Sequence, residues 1–404
     1  MPLSQSSVPA MNSLYTHAPV CRGCGGASAG FTTIFAMDPM PLAGGFCESC
    51  EAAQVAPRIP LTWVQCSACG LVQVLEDVDD VALYSQYNYS SSTVGGMVRH
   101  FDEYSAFLCE QYGRDNAVRL LEVGCNDGVL LNKLPVSWGR MGVDPSDIAR
   151  KALANGTGYE LINAGLSRRI IRQHHLEGNF DVVTGSNCLA HISDLQEVFR
   201  AVHLALRDGG HFWVEVHDLD CLLATGQWDT IYHEHKVEWS EASLAHCLAR
   251  IGFQPVITHR LDLHGGLLRA CFRKHSGGPA TPPPPAVSTE PFARLTQAFA
   301  SRYETEAATA VAQANARRAL VAAYGAAGRA TVYLNQLSRL RFDYIVDESP
   351  VRAGKFIPGV ATPIVPRAKL DANPPEACLI TAWSYKSQIV AKNPHYHGKW
   401  FTAF

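Results

Sequence analysis

The run Ala117-Val118-Arg119-Leu120-Leu121-Glu122-Val123 stops at Gly124, and Val129-Leu130-Leu131 resumes the apolar pattern shortly after. A short apolar run closed by glycine reads as a buried strand entering a tight turn, and the resumed run as the helix that leaves it. The unit recurs. Residues 140–144 form a second strand ending in Asp144, with a helix predicted over 146–155, and residues 180–187 and 210–217 are further strands. Residues 254–268 supply strands that bracket His264-Gly265-Gly266. Strand and helix in alternation predict an α/β fold with a doubly wound sheet. Past a proline-rich stretch at 276–285, which cannot continue a helix or a central strand, comes an alanine-rich helix predicted over 292–318. Its Leu295, Phe299 and Tyr303, at helical spacing, belong to a core. Strand, glycine turn and strand ending in an acid then return at 320–328, 343–347 and 377–383, which predicts a second, smaller α/β sheet.

The N-terminal part has neither period. After some twenty polar residues, read as a flexible arm, come Cys21-Arg22-Gly23-Cys24-Gly25 and Cys66-Ser67-Ala68-Cys69-Gly70, joined by a loop over 40–46 and a strand over 59–65. Each pair has the form of a zinc knuckle, two thiolates on a tight turn with a trailing glycine. The chain's 13 cysteines are an odd number, concentrated in pairs near this end, which indicates metal rather than disulfides. Cys21, Cys24, Cys66 and Cys69 are the expected ligands of one structural Zn²⁺. A third pair, Cys47 and Cys50, can replace one of these, bind with His17, or stay unligated. The chain therefore divides into a zinc module (1–75), a central catalytic domain (76–275), a proline-rich linker (276–290) and a C-terminal α/β domain (291–404).

Charge and hydropathy narrow the partners. With 34 basic and 37 acidic residues the net charge is −3, which argues against nucleic-acid or anionic-membrane binding. No apolar run approaches the ~20 residues that span a bilayer, and the start lacks a basic region followed by an apolar core, so a soluble, cytoplasmic protein is expected.

Doubly wound sheets bind ligands at the carboxyl ends of their strands. An acid about twenty residues after the glycine turn, here Asp144, suits a ribose. The dinucleotide pattern G-x-G-x-x-G is absent, since Gly124 and Gly128 enclose Cys125, Asn126 and Asp127. An adenosine ligand without a pyrophosphate is favoured, and S-adenosylmethionine is the commonest. The candidate cofactor contacts are Glu122, Gly124, Asn126, Asp127, Gly128, Asp144, Pro145 and Asn187. The competing readings are a nicotinamide site and a glycine turn used only in packing.

Candidate acceptor chemistry lies on the same rim. His191 follows the strand at 180–187, and Tyr232-His233-Glu234-His235 follows the strand at 210–217. The spacing is not H-E-x-x-H, so a zinc-protease site is rejected. In an extended segment Tyr232 and Glu234 would share one face, and His233 and His235 the other. Histidine suits proton abstraction near neutrality. Ahead of the sheet, Tyr87 and Tyr89 stand in a hydroxyl-rich stretch that either decorates the surface or covers the cofactor.

Taken in order, the cysteine pairs, LEVGCNDG, GVDPS, CLAHISD and IYHEH resemble the S-adenosylmethionine-dependent sugar C-methyltransferases of deoxysugar biosynthesis, over nearly the whole chain. The resemblance implies a zinc module, a class I methyltransferase (Rossmann-like) core and a C-terminal Rossmann-like domain. It implies methylation at carbon 3 of a nucleotide-linked 4-keto-6-deoxyhexose, with His235 as base, Tyr232 and Glu234 beside it, and His191 with Tyr87 or Tyr89 placing and polarising the acceptor. It also implies that the C-terminal domain holds the acceptor's nucleotide, with Tyr324, Asn335, Lys355 and Trp383 as weak candidates. Two departures bear on the acceptor. Family members usually have a tyrosine where this chain has Glu238, and often a serine where it has Leu267. The alternatives are a methyltransferase with another acceptor, a nicotinamide oxidoreductase, and a catalytically silent zinc and S-adenosylmethionine binding module.

Overall fold

The structure is a computed structural model that describes residues 14–80, 83, 90–93, 95–275, 285–286 and 288–404. Its N-terminal strands are β1 (Tyr15–His17), β2 (Phe31–Met40), β3 (Ile59–Cys66), β4 (Val72–Val74) and β5 (Glu76–Val78). Central strands follow as β6 (Arg119–Val123), β7 (Gly139–Val143), β8 (Glu160–Ile162), β9 (Phe180–Ser186) and β10 (Leu206–His217), then β11 (Val237–Glu238), β12 (Phe253–Leu261) and β13 (Leu267–Lys274). The last five are β14 (Val321–Tyr324), β15 (Tyr344–Val346), β16 (Ile364–Val365), β17 (Ala377–Ile380) and β18 (Lys399–Thr402).

The central sheet has the order β12-β13-β10-β9-β6-β7-β8. Strands β8, β7, β6, β9 and β10 run parallel, and β13 is antiparallel to both of its neighbours. Parallel strands need helices on both faces, which is why they read as near-continuous apolar runs. That order, with one reversed strand near the edge, is the class I methyltransferase arrangement. The helices start where the sequence supplies caps. Ser146 accepts from Ala149 N at the start of helix Asp147–Ala154, and Asp194 accepts from Glu197 N at the start of helix Leu195–Ala205. The C-terminal sheet, β16-β15-β14-β17-β18, is parallel throughout, as a second Rossmann-like unit should be.

The predicted helix over 292–318 is two helices, Ala293–Ala300 and Glu306–Ala316. The Arg302 guanidinium donates to Phe299 O and Gln336 O, which ends the first. Thr305 accepts from Ala308 N and starts the second. Local capping outweighs the alanine-rich composition there.

The zinc module keeps only a small cluster of its own, Ile59, Val78 and Leu83, and shares its larger apolar contacts with the other two domains. Its sheet is β11-β4-β3-β2, so its fourth strand comes from the central domain, just after His235. One face packs Phe35, Met37, Leu61 and Trp63 with Val332, Tyr333 and Ile345 of the C-terminal domain. The knuckles pack Cys21, Cys66 and Leu71 with Trp239, Leu244 and Cys247 of the central domain. The three parts meet around residues 231–239.

Candidate active site

The first βα turn carries two glycines that tolerate no side chain. Gly124 and Gly128 have φ of 68° and 74°, and a Cβ on them would lie 2.5 Å from the Cys188 Cβ and 1.9 Å from the Tyr159 Oη. The turn is held to the next strand by Asp144, whose Oδ2 accepts from Asn126 N at 2.9 Å and whose Oδ1 accepts from Ser146 N at 2.7 Å. Ser90 and Ser92, at the end of the hydroxyl-rich stretch, donate to Asp127 Oδ2, and Ser91 N donates to Asn126 Oδ1. Residues 90–92 therefore rest on the glycine turn, while Tyr87 and Tyr89 lie outside the described residues.

Around this turn, buried polar atoms lack an internal partner among the described residues: Glu122 Oε2 and Asp127 Oδ1 at the end of β6, Asn187 Nδ2 past β9, and Tyr159 Oη, whose ring lies against Gly128. Burial, then the charges of Asp144 and Asp127, pushes the Glu122 carboxyl well above the usual carboxylate range. Orphaned buried polar groups are rare and mark a missing ligand or solvent. Carboxylates and a phenol for hydroxyls and amines, an amide for a purine edge, and glycines that admit close approach fit S-adenosylmethionine. Asn126 and Asn187 adopt the left-handed conformation, φ 53° and 54°, which aims their loops at this rim. Pro145 lies between Asp144 and the helix cap Ser146, in the same loop.

On the same rim, past the carboxyl ends of β9 and β10, stands a buried cluster of imidazoles. His235 Nδ1 lies 2.9 Å from Thr230 O, a pure acceptor, so Nδ1 carries the proton and Nε2 the lone pair, which accepts from Tyr232 Oη at 2.6 Å. His191 Nδ1 likewise donates to Glu234 O at 2.8 Å, which leaves the lone pair on its Nε2. The rings of His191 and His217 stand 5.1 and 5.4 Å from that of His235. Burial pushes His191 down to about 4, His217 to about 3 and His264 to about 4, and burial with the neighbouring imidazoles holds His235 well below its ordinary value. All four are neutral at pH 7.

Residues 231–235 form a turn, with His235 N donating to Tyr232 O, so the alternation that an extended segment would show does not apply. Tyr232 and His235 consequently meet, while His233 turns to Pro60 O of the zinc module at 2.9 Å. Glu234 Oε1 accepts from Gly44 N at 2.8 Å. Arg329, at the start of helix Gly328–Gln336, donates twice to Asp229, at 2.7 and 3.0 Å, and to His264 O, and stacks on Trp383. Its charge helps to keep His217 and His264 neutral.

Cys21, Cys24, Cys66 and Cys69 form a four-thiol cluster, with Sγ separations of 3.5 Å for Cys21 and Cys69 and 3.7 Å for Cys24 and Cys66. A tetrahedral Zn–S distance of about 2.3 Å requires sulfurs a little under 4 Å apart, so the cluster fits Zn²⁺ with no open position. The two knuckles fold alike: Gly25 N donates to Cys21 O and Gly70 N to Cys66 O, both at 2.8 Å. Cys47 and Cys50 stand apart, the first donating to Gly45 O and the second accepting from Gln54.

Sequence reasoning missed five members of the site, His264 among them, which it read only as bracketed by strands. His217 had a signal, a histidine at the carboxyl end of a strand on the rim that also holds His191. Glu238 was visible only as a departure. Asp229 and Arg329 had none, being a pair 100 residues apart. Of the C-terminal candidates, only Trp383 reaches the cluster, donating to Asp229 at 3.1 Å. Tyr324 bonds Glu348, Asn335 bonds two carbonyls, and Lys355 pairs with Glu48.

Three family models match the chain in succession. One, described as a zinc binding domain, covers residues 21–84. A methyltransferase domain covers 97–258, and a C-methyltransferase C-terminal domain covers 262–404. C-methyltransferase NovU of Streptomyces niveus is 29% identical over 387 residues, 92% of this chain and 91% of its own. The ubiquinone biosynthesis O-methyltransferase of Vibrio atlanticus (strain LGP32) is 32% identical over 102 residues, 23% of this chain and 40% of its own. Among solved structures, an S-adenosylmethionine dependent methyltransferase from Mesorhizobium loti aligns with 44% of this chain and 100% of its own, at 18% identity and a TM-score of 0.33. The 1,6-didemethyltoxoflavin-N1-methyltransferase of Burkholderia thailandensis, solved with S-adenosylhomocysteine, aligns with 50% of this chain and 96% of its own, at 18% identity and a TM-score of 0.32.

Proposed function

Because this chain is an S-adenosylmethionine-dependent C-methyltransferase, with the zinc-binding, methyltransferase and C-terminal modules of that family in order, we propose that it methylates a carbon beside a ketone. The acceptor is a small molecule, carbon 3 of a nucleotide-linked 4-keto-deoxysugar, as in deoxysugar and antibiotic biosynthesis. The observation that carries this reading is the 2.6 Å bond from Tyr232 Oη to a His235 ring whose tautomer is fixed by Thr230 O.

S-adenosylmethionine, when bound, supplies an electrophilic methyl group on a sulfonium. Gly124, Asn126, Asp127 and Gly128 would line its binding turn, with Glu122, Asp144, Pro145 and Asn187 around the ribose, purine and amino acid ends. On the acceptor side, neutral His235 presents a lone pair at Nε2, in contact with the Tyr232 hydroxyl. As the acceptor's C–H bond breaks, its proton passes to Nε2, directly or by way of Tyr232, and the electron pair stays on carbon as an enolate. Holding both reactants in register supplies much of the acceleration. His191, with its lone pair on Nε2, suits a hydroxyl of the acceptor, and Glu234, tied to Gly44, fixes the turn against the zinc module. Tyr87 and Tyr89 enter as proposed contacts of the acceptor. The zinc is structural and takes no part in the step.

A second reading, a non-sugar acceptor, is favoured by Leu267, fully buried and paired in register with His217, where a polar residue would serve a sugar hydroxyl better. The test is exchange of the acceptor's α-hydrogen with deuterated solvent, with S-adenosylhomocysteine in the cofactor site, on a panel of 4-keto nucleotide sugars. His235→Ala is expected to abolish both exchange and methyl transfer while S-adenosylmethionine affinity stays within a few-fold. A variant that keeps most of its turnover would place the base elsewhere.

A further inference from the structure

Glu238 is a buried carboxyl group that the reaction above leaves idle. It is 1% exposed, and neither oxygen has a hydrogen-bond partner among the described residues. Its Oε1 lies 3.8 Å from His235 Nδ1 and its Oε2 4.0 Å from His217 Nδ1. An unpaired buried carboxyl is among the costlier features a fold can hold, and it persists where a partner arises during function. The backbone aims it deliberately: β11 pairs with β4 in the register Glu238 with Val72, which locks the residue three positions after the base.

We propose that Glu238 is a positioning residue for methyl transfer, holding the positive charge that His235 acquires when it takes the acceptor's proton. The inference rests on His235 as the base. In that step a C–H bond breaks, its electron pair remains on the acceptor carbon, and an N–H bond forms at Nε2. The ring then carries two N–H groups and one positive charge. Thr230 O already accepts from Nδ1, but a neutral carbonyl offsets little of that charge. Glu238 is the nearest carboxylate, on the Nδ1 side and away from the reacting carbon.

The surrounding groups make this carboxylate the natural counterion. His217 faces it from β10, and His191 and His264 stand behind the two rings. All three are neutral at pH 7. Arg329 approaches from the C-terminal domain, its charge opposed by Asp229. From β4 come only Val72 and Gln73, both uncharged. Burial pushes the Glu238 carboxyl up to about 8, so it is largely neutral at pH 7 and charged above about 8. A charged Glu238 makes His235 the stronger base, so kcat should rise as pH passes through about 8.

The experiment compares Glu238→Gln and Glu238→Asp with the full-length wild type, measuring kcat, KM and α-hydrogen exchange from pH 6 to 9.5. Gln has the same shape as the protonated resting side chain, so the variant should fold and bind S-adenosylmethionine as wild type does. The expected result is a kcat lowered about 10- to 100-fold at pH 9, with KM values within a few-fold and the ascending limb near pH 8 gone. Glu238→Asp should restore part of the rate together with that limb. Two results overturn the inference: a Glu238→Gln profile that matches wild type, or a second divalent ion per chain, beyond the zinc, that disappears in Glu238→Gln and makes His217, His235 and Glu238 a metal site. If His235→Ala retains turnover, the base assignment fails and this inference with it. If His235→Ala is dead and Glu238→Gln is unaltered, only this inference fails.

Discussion

Replacing Arg329 by Met should destabilise the joint between the central and C-terminal domains by about 4 kcal/mol. Asp229 is fully buried and receives donors from Arg329 at 2.7 and 3.0 Å and from Trp383 at 3.1 Å. Taking away the guanidinium leaves a buried carboxylate with one neutral donor, and breaking a buried pair from one side costs about 3–5 kcal/mol. Loss of the stack on Trp383 adds about 0.5–2 kcal/mol, partly offset because the Met stem still fills the space. Removing both charges together, in Arg329→Met with Asp229→Asn, spares the fold an unpaired ion and should recover most of the loss. The assay is equilibrium urea unfolding followed by tryptophan emission, since Trp383 lies in the contact, with all four members of the double-mutant cycle compared at one slope. A single variant within about 1 kcal/mol of wild type would refute the reasoning. So would a double variant as unstable as the single.

Zinc analysis should return about one ion per chain, lost in Cys21→Ser together with the fold of the N-terminal module; two ions would bring Cys47 and Cys50 into the account. Acid should unfold the protein early. His191, His217 and His264 have folded pKa values of about 4, 3 and 4, below the unfolded value, so the unfolded chain binds more protons as pH falls. Their contribution is complete above about pH 6.5 and is lost toward pH 3–4, at up to about 1.4 kcal/mol per pH unit for each. Glu238, raised to about 8, acts in the opposite sense, losing stability as pH rises from about 4.5 to 8, and the raised Glu122 acts with it, so between pH 4.5 and 6.5 four depressed imidazoles, His235 included, outweigh two carboxyls. Urea midpoints at pH 5.0, 6.5 and 8.0 check this, and a midpoint at pH 5.0 equal to that at 6.5 would show that the imidazoles are not held neutral.

What the sequence made legible follows from local rules. The β6 run stops at Gly124 because the turn needs φ 68° and admits no Cβ, and such a stop can be read in one dimension. The second sheet was readable for the same reason: Asp347 accepts from Ala326 N and Ser349 N just as Asp144 accepts from Asn126 N and Ser146 N. The knuckles were readable from spacing alone. The turn at 231–235 was not, because its form is set by distant partners, Gly44 on Glu234 and Pro60 on His233. Strand β11 has two residues and no period to detect. Its place in the zinc-module sheet is decided by β4, more than 160 residues earlier in the chain.

That placement explains why a structural zinc accompanies this chemistry. Arg22, inside the first knuckle, donates to Val74 O on β4 and to Asp77. Asp77 also receives Lys236, the residue after the proposed base, whose buried ammonium reaches Asp80, Val78 O and Ser193 as well. Val74 N donates to Lys236 O, and β4 pairs with β11. A zinc held by the knuckles would fix Arg22 and β4, those fix Lys236 and β11, and these hold His235 and Glu238 from both sides. A base that must lie within hydrogen-bond reach of a carbon acid cannot sit on a free loop. The zinc module therefore braces the turn that carries the proposed base.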